Sequence, residues 1–187
     1  MLEHATTPTI LNGVNVDDLI NTVEAVKQQP DLAKFRFSAD NQWLTCGHNR
    51  TAIKEFYGCG DTDRSRSVPF VLDADEPPML LGTDKGANPV EYLLHALVGC
   101  MTTSMVYHAA ARGLEVKSVA TRLEGDLDLR GFLGLSDDVP KGYSQIRVNM
   151  EIESGASESD LRECVSFSPV YEMVSRSLPV ELSMTIR

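Results

Sequence analysis

The chain has 187 residues, of which 17 are basic and 27 acidic, so its formal net charge is −10. A chain of this length can bury a substantial core as one domain, with or without an appendage. Its negative charge opposes binding to nucleic acid and to anionic membrane surfaces, so we expect neither as a partner. No basic stretch followed by an apolar run opens the sequence, which indicates a cytoplasmic protein.

The first element predicted along the chain is an amphipathic helix. Asn15 has a side chain suited to cap its N-terminus, and Pro30 stops the pattern. Between them, apolar residues recur at helical spacing: Val16, Leu19, Ile20, Val23 and Val26. Residues 1–33 are therefore predicted to form a helical extension, and residues 34–187 to form the main domain.

A β-rich segment is predicted after the extension. Alternating apolar residues, a turn at residues 46–49 and a second run at residues 51–57 are typical of a β-hairpin. The polar residues 58–67 predict a loop, residues 68–72 a third strand, and residues 73–78 a further turn.

A long helix is predicted in the centre of the chain. Asn88 can cap it, Pro89 suits its first position, and Glu91 can bond back to the cap. Gly113 is expected to end it. Residues 90–111 are apolar on all sides but include Glu91, two histidines and several hydroxyl residues, which favours a buried helix over a membrane span.

Strands and short helices are predicted in the last third of the chain. Residues 116–129 are rich in strand-forming side chains, and residues 146–152 alternate between apolar and polar. Ser157 and Ser168 are expected to begin two short helices, and residues 180–186 to form a terminal strand. This order of elements is typical of an α+β fold.

The four cysteines, Cys46, Cys59, Cys100 and Cys164, lie far apart without CxxC spacing. They predict neither a metal site nor a disulfide framework, and we expect no cofactor. Cys100 lies in the middle of the most apolar helix, where a cysteine is more often a small hydrophobic residue than a nucleophile. Reactivity would require a nearby cation or hydrogen-bond donors to stabilise the thiolate.

Residues 86–100, with Gly86, Asn88-Pro89 and Cys100 at their particular spacing, resemble the first motif of the OsmC-like family. The resemblance extends from about Lys34 to Arg187. It implies an α+β fold in which a long buried central helix packs on an antiparallel sheet, and two chains intertwine as a homodimer. The all-round apolar character of the central helix also favours a dimer, because such a helix needs more cover than one small sheet provides.

The family includes organic hydroperoxide resistance proteins, so the resemblance implies peroxide reduction with Cys100 as the attacking thiol. In the family a second cysteine, in a Cys-Pro pair, then condenses with the sulfenic acid formed. Here Ser168-Pro169 occupies that pair. Cys164, four residues earlier, could be a displaced resolving thiol; the alternative is a half-buried helix cysteine, because Pro169 is expected to break the helix between them.

Arg50, in the turn of the first hairpin, matches the family arginine that stabilises the thiolate. In the hydroperoxide resistance branch, a carboxylate ten residues before the reactive cysteine helps to position that arginine. The corresponding residue here is Val90. Glu91, beside it, points about 180° away from Cys100 around the helix, so its expected function is to cap the helix.

Two functions follow from the resemblance. The first is a thiol peroxidase that reduces organic hydroperoxides with one essential cysteine, Cys100, and an external thiol reductant; the apolar neighbours of Cys100 favour an alkyl hydroperoxide over hydrogen peroxide. The second is a non-catalytic ligand-binding or interaction protein of the same fold, in which Cys100 is only packed. Ser168 and Val90 favour this second function.

Overall fold

The computed structural model describes residues 8–187, which form two compact units. One unit contains the described residues up to Leu19 together with Leu94–Arg187, and the other consists of Ile20–Leu93. The predicted boundary between the helical extension and the main domain lies where the family resemblance begins, at about Lys34. The two units do not test that boundary, so it stays a prediction.

Helices and strands are both abundant, which confirms the predicted α+β class. The helices are α1 (Val16–Gln28), α2 (Pro89–Ala111), α3 (Leu129–Phe132), α4 (Glu158–Ser166) and α5 (Pro169–Ser175). The strands are β1 (Ile10–Leu11), β2 (Val14–Asn15), β3 (Arg36–Phe37), β4 (Asp40–Thr45), β5 (His48–Ile53), β6 (Phe56–Gly58), β7 (Asp61–Asp63), β8 (Phe70–Ala74), β9 (Val116–Leu127), β10 (Tyr143–Ser154) and β11 (Val180–Ile186). Short 3-10 helices occur at Pro30–Ala33 and Pro78–Leu80.

The start of the described chain is held by the side chain of Asn12. Its amide nitrogen donates to the Leu114 carbonyl oxygen at 2.9 Å, and its amide oxygen accepts from the Val116 amide at 2.8 Å. Asn12 has a φ of 53°, a conformation that asparagine adopts more readily than most residues. Helix α1 then follows Asn15, whose side-chain oxygen accepts from the Asp18 amide at 3.3 Å, as predicted for its cap.

The unit formed by Ile20–Leu93 contains two three-stranded antiparallel sheets, in the orders β4-β5-β8 and β3-β6-β7. The predicted hairpin is confirmed as β4 and β5, joined by a tight turn at Cys46-Gly47. The prediction of a loop at residues 58–67 is partly wrong, because β7 forms within this segment. The third strand extends to Ala74, so Asp73 belongs to the sheet and not to the predicted turn.

The loop after β8 is organised by the buried carboxylate of Asp75. It accepts hydrogen bonds from the amides of Glu76 at 2.8 Å, Thr83 at 3.1 Å and Lys85 at 3.1 Å, and from the Thr83 hydroxyl at 2.6 Å. These bonds lower the pKa of Asp75 to about 2, and the bond from the Thr83 hydroxyl has the largest effect. Burial acts in the opposite direction but is outweighed. An ionised side chain therefore fixes the backbone that leads to α2.

The unit that contains Leu94–Arg187 is built on a three-stranded sheet in the order β11-β10-β9. In β10, Val148 pairs antiparallel with Leu123 of β9 and parallel with Leu182 of β11. The sheet is mixed because β11 follows β10 through a helical crossover, which parallel strands require. Alternate residues of β10 are buried in the core: Ile146, Val148, Met150 and Ile152.

Helix α2 begins with the predicted capping box. The Asn88 side-chain oxygen accepts from the Val90 amide at 2.9 Å, and the Glu91 carboxylate accepts from the Asn88 amide at 3.0 Å. One face is buried by residues four apart: Leu97, Met101, Met105 and Ala109. The face opposite is exposed in a single chain and includes Ala96, Gly99, Thr103 and Tyr107. Within residues 8–187, no helix is long and apolar enough to cross a membrane.

Candidate functional site

Cys100 lies near the middle of α2, between exposed Gly99 and fully buried Met101. Cys100 itself is half-buried. It therefore occupies the border between the buried stripe of the helix and its exposed face. Reactive cysteines are partly exposed in the same way, whereas fully buried ones are inert.

Arg50 forms a two-point ion pair with Asp73 on the neighbouring strand. The two residues are directly opposite each other in the β5-β8 register. The Arg50 Nε donates to one carboxylate oxygen at 2.8 Å, and Nη2 donates to the other at 2.9 Å. Such a fork fixes the plane of the guanidinium as well as its distance from the carboxylate.

His48 adds a second partner to the same carboxylate. Its Nε2 lies 3.1 Å from the Asp73 oxygen that also accepts from Arg50 Nε. The hydrogen bond from Arg50 is the main cause that lowers the pKa of Asp73, and the hydrogen bond from His48 lowers it further. Burial of the carboxylate acts in the opposite direction. The same pair raises the pKa of Arg50. Both members of the pair are therefore charged at neutral pH.

The backbone at Asp73 is fixed from two sides. The Tyr92 hydroxyl donates to the Asp73 carbonyl oxygen at 2.8 Å. At Gly86, an added Cβ would lie 1.9 Å from that same oxygen, so only glycine fits there. These contacts hold β8 in place at the residue that pairs with Arg50.

The carboxylate that contacts Arg50 comes from a strand and not from α2. Glu91 caps the helix, as predicted, and Val90 has no carboxylate. Asp73 was missed in the sequence because the residues around it predicted a turn. Arg50 lies in the unit of Ile20–Leu93 and Cys100 in the unit that contains Leu94–Arg187, so a joint function of the two stays a prediction.

Cys164 lies in α4 and is fully buried. Burial raises the pKa of its thiol, and the nearby Arg112 guanidinium only partly offsets this effect. A raised pKa lowers the fraction of thiolate at neutral pH, which is the form that takes part in thiol exchange. The environment of Cys164 thus suits a packed residue better than a reactive one.

Ser168 caps helix α5. Its hydroxyl oxygen accepts from the Tyr171 amide at 3.2 Å, and its side chain is fully buried. Pro169 occupies the first helical position, and α4 has already ended at Ser166. The predicted break between Cys164 and Ser168 is therefore confirmed.

Helix α4 contacts the C-terminal part of α2. Arg112, just after α2, donates to Glu163 at 2.8 Å, and the His108 ring stacks on Phe167 with centroids 4.1 Å apart. By the helical rise of about 1.5 Å per residue, His108 lies roughly 12 Å and Arg112 roughly 18 Å along the axis from Cys100. Cys164, next to Glu163, is thus associated with the end of the helix and not with its middle.

The remaining cysteines lie in exposed turns of the Ile20–Leu93 unit. Cys46 and Cys59 have φ angles of 49° and 52°, and the Cys46 sulfur donates to the Leu81 carbonyl oxygen at 3.2 Å. Among the described residues, no group of three or more His, Cys, Asp or Glu side chains is placed to hold a metal ion.

Comparison with known proteins matches residues 82–183 to the family of OsmC-like proteins. The OsmC-like protein of Mycoplasma pneumoniae has a similar structure, with 18% identity over 81% of this chain and 96% of that one, and a TM-score of 0.59. An organic hydroperoxide resistance protein OsmC from Legionella pneumophila is 17% identical over 80% and 96%, with a TM-score of 0.54. An OsmC-like protein of unknown function from Vibrio cholerae is 13% identical over 81% and 99%, with a TM-score of 0.52.

A search of curated proteins found no match. At the identities above, the solved structures show a common fold over about four fifths of this chain.

Proposed function

The chain belongs to the OsmC-like protein family, and from that premise we propose that it is a thiol peroxidase that reduces organic hydroperoxides. Cys100 is the reacting group, and an external thiol is the reductant. The observation that carries the proposal is the position of Cys100, which ends the family motif of residues 86–100 and is half-buried on α2. Its apolar neighbours favour an alkyl hydroperoxide: Leu93, Leu97 and Met101.

The chemistry requires one protein cysteine. The Cys100 thiolate attacks the terminal peroxide oxygen; the S–O bond forms as the O–O bond breaks, and the alkoxide takes up a proton and leaves as an alcohol. A small thiol condenses with the sulfenic acid, releasing water and leaving a mixed disulfide. A second small thiol attacks that disulfide, restores Cys100 and departs as the oxidised dimer of the reductant. A cytoplasmic thiol pool would supply this reductant.

The surroundings of Cys164 and Ser168 support this one-cysteine cycle. Ser168 has a hydroxyl that caps α5 and cannot form a disulfide. Cys164 is buried, has a raised pKa and is associated with the far end of α2. A disulfide needs Cα atoms within about 7 Å of each other, so we expect none between Cys164 and Cys100 of one chain.

Arg50 is proposed to supply the positive charge that stabilises the Cys100 thiolate. Its guanidinium is always charged, and its side chain is 53% exposed although Asp73 holds it. A fixed cation of this kind favours the thiolate over the thiol. Arg50→Met should therefore slow the reaction of Cys100 with peroxide at neutral pH.

We also propose that the protein is a homodimer. An added Cβ at Gly99 would meet no atom within 4 Å in a single chain, although glycine inside a helix costs about 0.5–1 kcal/mol relative to alanine. Close approach of a second chain to the exposed face of α2 would explain this glycine. Light scattering at micromolar concentration should give twice the monomer mass, and Gly99→Leu should shift it toward the monomer. A monomer mass for the unaltered protein would contradict the proposal.

The function is tested by following the consumption of cumene hydroperoxide with dithiothreitol as the reductant. The unaltered protein should turn over, Cys100→Ser should abolish turnover, and Cys164→Ser should retain it. The second substitution is the matched control, because it removes a thiol from the same unit. Equal turnover with and without Cys100 would refute the proposal.

The second candidate function is a non-catalytic ligand-binding or interaction protein. Ser168 and Val90, which replace two reactive groups of the family pattern, favour it. If the protein does not consume cumene hydroperoxide and Cys100 stays unmodified while the fold is intact, this second function is the better account.

A further inference from the structure

We propose that Asn12 is a site of spontaneous deamidation, and that this reaction opens the clamp by which its side chain holds the N-terminal hairpin of β1 and β2. The clamp consists of two hydrogen bonds, one to the Leu114 carbonyl oxygen and one from the Val116 amide. All of these residues belong to one unit of the protein. The inference does not depend on the proposed function.

The residue that follows Asn12 makes its side chain reactive. Asn12 is the only asparagine of the chain that precedes a glycine. Deamidation begins when the backbone nitrogen of the next residue attacks the side-chain carbonyl carbon of asparagine, and glycine has no Cβ to obstruct that approach. Gly13 is exposed, and an added Cβ there would meet no atom within 4 Å. Water therefore has access to this peptide bond.

The reaction balances with water as the only other reactant. The Gly13 nitrogen forms a bond to Asn12 Cγ and gives up its proton. The bond between Cγ and Nδ2 breaks, and Nδ2 takes up the proton and leaves as ammonia, so the product is a cyclic succinimide. Water then opens the succinimide at either of its carbonyl carbons. One product is an aspartate, and the other is an isoaspartate, in which the backbone runs through the former side chain.

The folded structure holds Asn12 back from this reaction. Asn12 and Gly13 form the turn of the hairpin with φ angles of 53° and 78°, a conformation that asparagine followed by glycine favours. The clamp fixes both ends of the side-chain amide, at 2.9 Å for Nδ2 and 2.8 Å for Oδ1. Attack therefore requires a local opening. The strand residues of this hairpin are half-buried or exposed, and segments with few buried side chains open most readily.

Deamidation removes the hydrogen-bond donor of the clamp. A carboxylate at this position still accepts from the Val116 amide, but it has no N–H to donate to the Leu114 carbonyl oxygen, which then faces a second oxygen. An isoaspartate also lengthens the backbone of the turn between Leu11 and Val14, which are paired in the hairpin. Since the reaction is irreversible, a molecule that has reacted does not close its clamp again.

The clamp acts on the connection between α2 and β9. Asn12 binds the backbone of Leu114 and Val116 with one donor and one acceptor, as a neighbouring strand would. The Ser154 hydroxyl also holds this connection, because it donates to the Glu115 carbonyl oxygen. Deamidation is therefore expected to free residues 8–15 while the connection itself stays in place.

The first measurement tests the modification. The full chain is incubated at pH 8 and 37 °C, both folded and in urea, and peptide mass spectrometry follows the gain of mass at each asparagine. Asn12 should deamidate in both samples, and on the order of tenfold or more slowly in the folded one. Asn15 is the matched control, because it lies in the same hairpin but precedes Val16, whose branched side chain obstructs the attack. It should stay unmodified while Asn12 reacts.

The second measurement tests the opening of the clamp. Asn12→Asp reproduces one product, and its residues 8–16 should exchange amide hydrogens faster on the order of tenfold, because an unpaired carbonyl opposite a carboxylate weakens the closed state. The most direct reporter is the Val16 amide, which donates to the Thr9 carbonyl oxygen at 2.9 Å and closes the hairpin. Asn21→Asp is the charge control, since it adds the same charge at an exposed position, and it should leave this exchange unchanged.

The two parts of the proposal fail separately. The modification site is overturned if Asn12 reacts no faster than Asn15 in urea, or if the folded protein gives no product. The opening of the clamp is overturned if Asn12→Asp and the deamidated protein exchange hydrogens at residues 8–16 as slowly as the unaltered protein. Asn12→Gln keeps an amide but needs a larger and less favourable ring, so its exchange should not change with age. An equal rise in the aged unaltered protein and the aged Asn12→Gln protein would also overturn the proposal.

Discussion

Replacing Ser168 with alanine separates a structural role of this residue from a chemical one. The Ser168 hydroxyl oxygen accepts a hydrogen bond from the Tyr171 amide at 3.2 Å, and the Ser168 backbone carbonyl accepts one from the Glu172 amide at 2.9 Å. Only the first bond is lost on substitution. Loss of an N-cap costs about 0.5–2 kcal/mol, and because Ser168 is fully buried, water cannot replace the missing acceptor, so we expect the upper half of this range.

For a chain of this size, about 1 kcal/mol corresponds to a change in Tm of roughly 2–4 °C. Urea unfolding of Ser168→Ala should give a loss of about 1–2 kcal/mol. The rate of Cys100 oxidation by cumene hydroperoxide should remain unchanged in the folded protein. A control is Ser157→Ala at an exposed position, which removes the cap of α4, also at 3.2 Å, together with the bond that the Ser157 hydroxyl donates to the Asp160 carboxylate at 2.6 Å. Because water can replace that acceptor, its cost should be smaller.

The reasoning would be refuted by a Ser168→Ala protein as stable as the unaltered one but oxidised at Cys100 more than tenfold more slowly. Such a result would place the hydroxyl in the chemistry and not in the helix cap. A stability loss equal to that of Ser157→Ala would show that burial of the cap has no energetic effect.

Three further predictions concern other buried groups. Asp75→Asn should lower Tm by several degrees at pH 7. The difference in Tm between the variant and the unaltered protein should shrink as the pH falls from about 4 to 2, because the stabilising charge of Asp75, with its pKa of about 2, is lost there. A constant difference in Tm across that range would contradict this. Burial raises the pKa of Cys164, so iodoacetamide should alkylate it much more slowly at pH 8 than the exposed Cys46 and Cys59. Peptide mass spectrometry measures the three rates. Equal rates would show that α4 opens readily. Met101→Ala should cost about 2–5 kcal/mol in urea unfolding, because this side chain is fully buried in the core of its unit; a loss below 1 kcal/mol would mean that the core closes around the cavity.

Local features of the fold were predictable from the sequence. The caps at Asn15, Asn88, Ser157 and Ser168 all form as expected, because a cap depends on residues within three positions of it. The strand formed by residues 143–154 follows in the same way from the alternation of its apolar residues.

Features that depend on distant residues were not predictable in this way. Asp73 is 23 residues from Arg50, and the two meet because the β5-β8 register places them opposite each other. The register could not be read from the strand pattern alone, since a shift of two residues would leave the same faces buried. The parallel pairing of β11 depends likewise on the path of the helices before it.

The central claim, that Cys100 acts as the only redox thiol, is tested most directly by treating the protein with one equivalent of cumene hydroperoxide. The remaining thiols are then trapped, a sulfenic acid probe is added, and the peptides are analysed by mass spectrometry. We predict a sulfenic Cys100 in high yield, because the sulfinic acid would consume a second equivalent of peroxide, with Cys164 recovered as a free thiol. A Cys100–Cys164 disulfide in high yield would contradict the one-cysteine cycle, and an unmodified Cys100 would contradict the peroxidase activity itself.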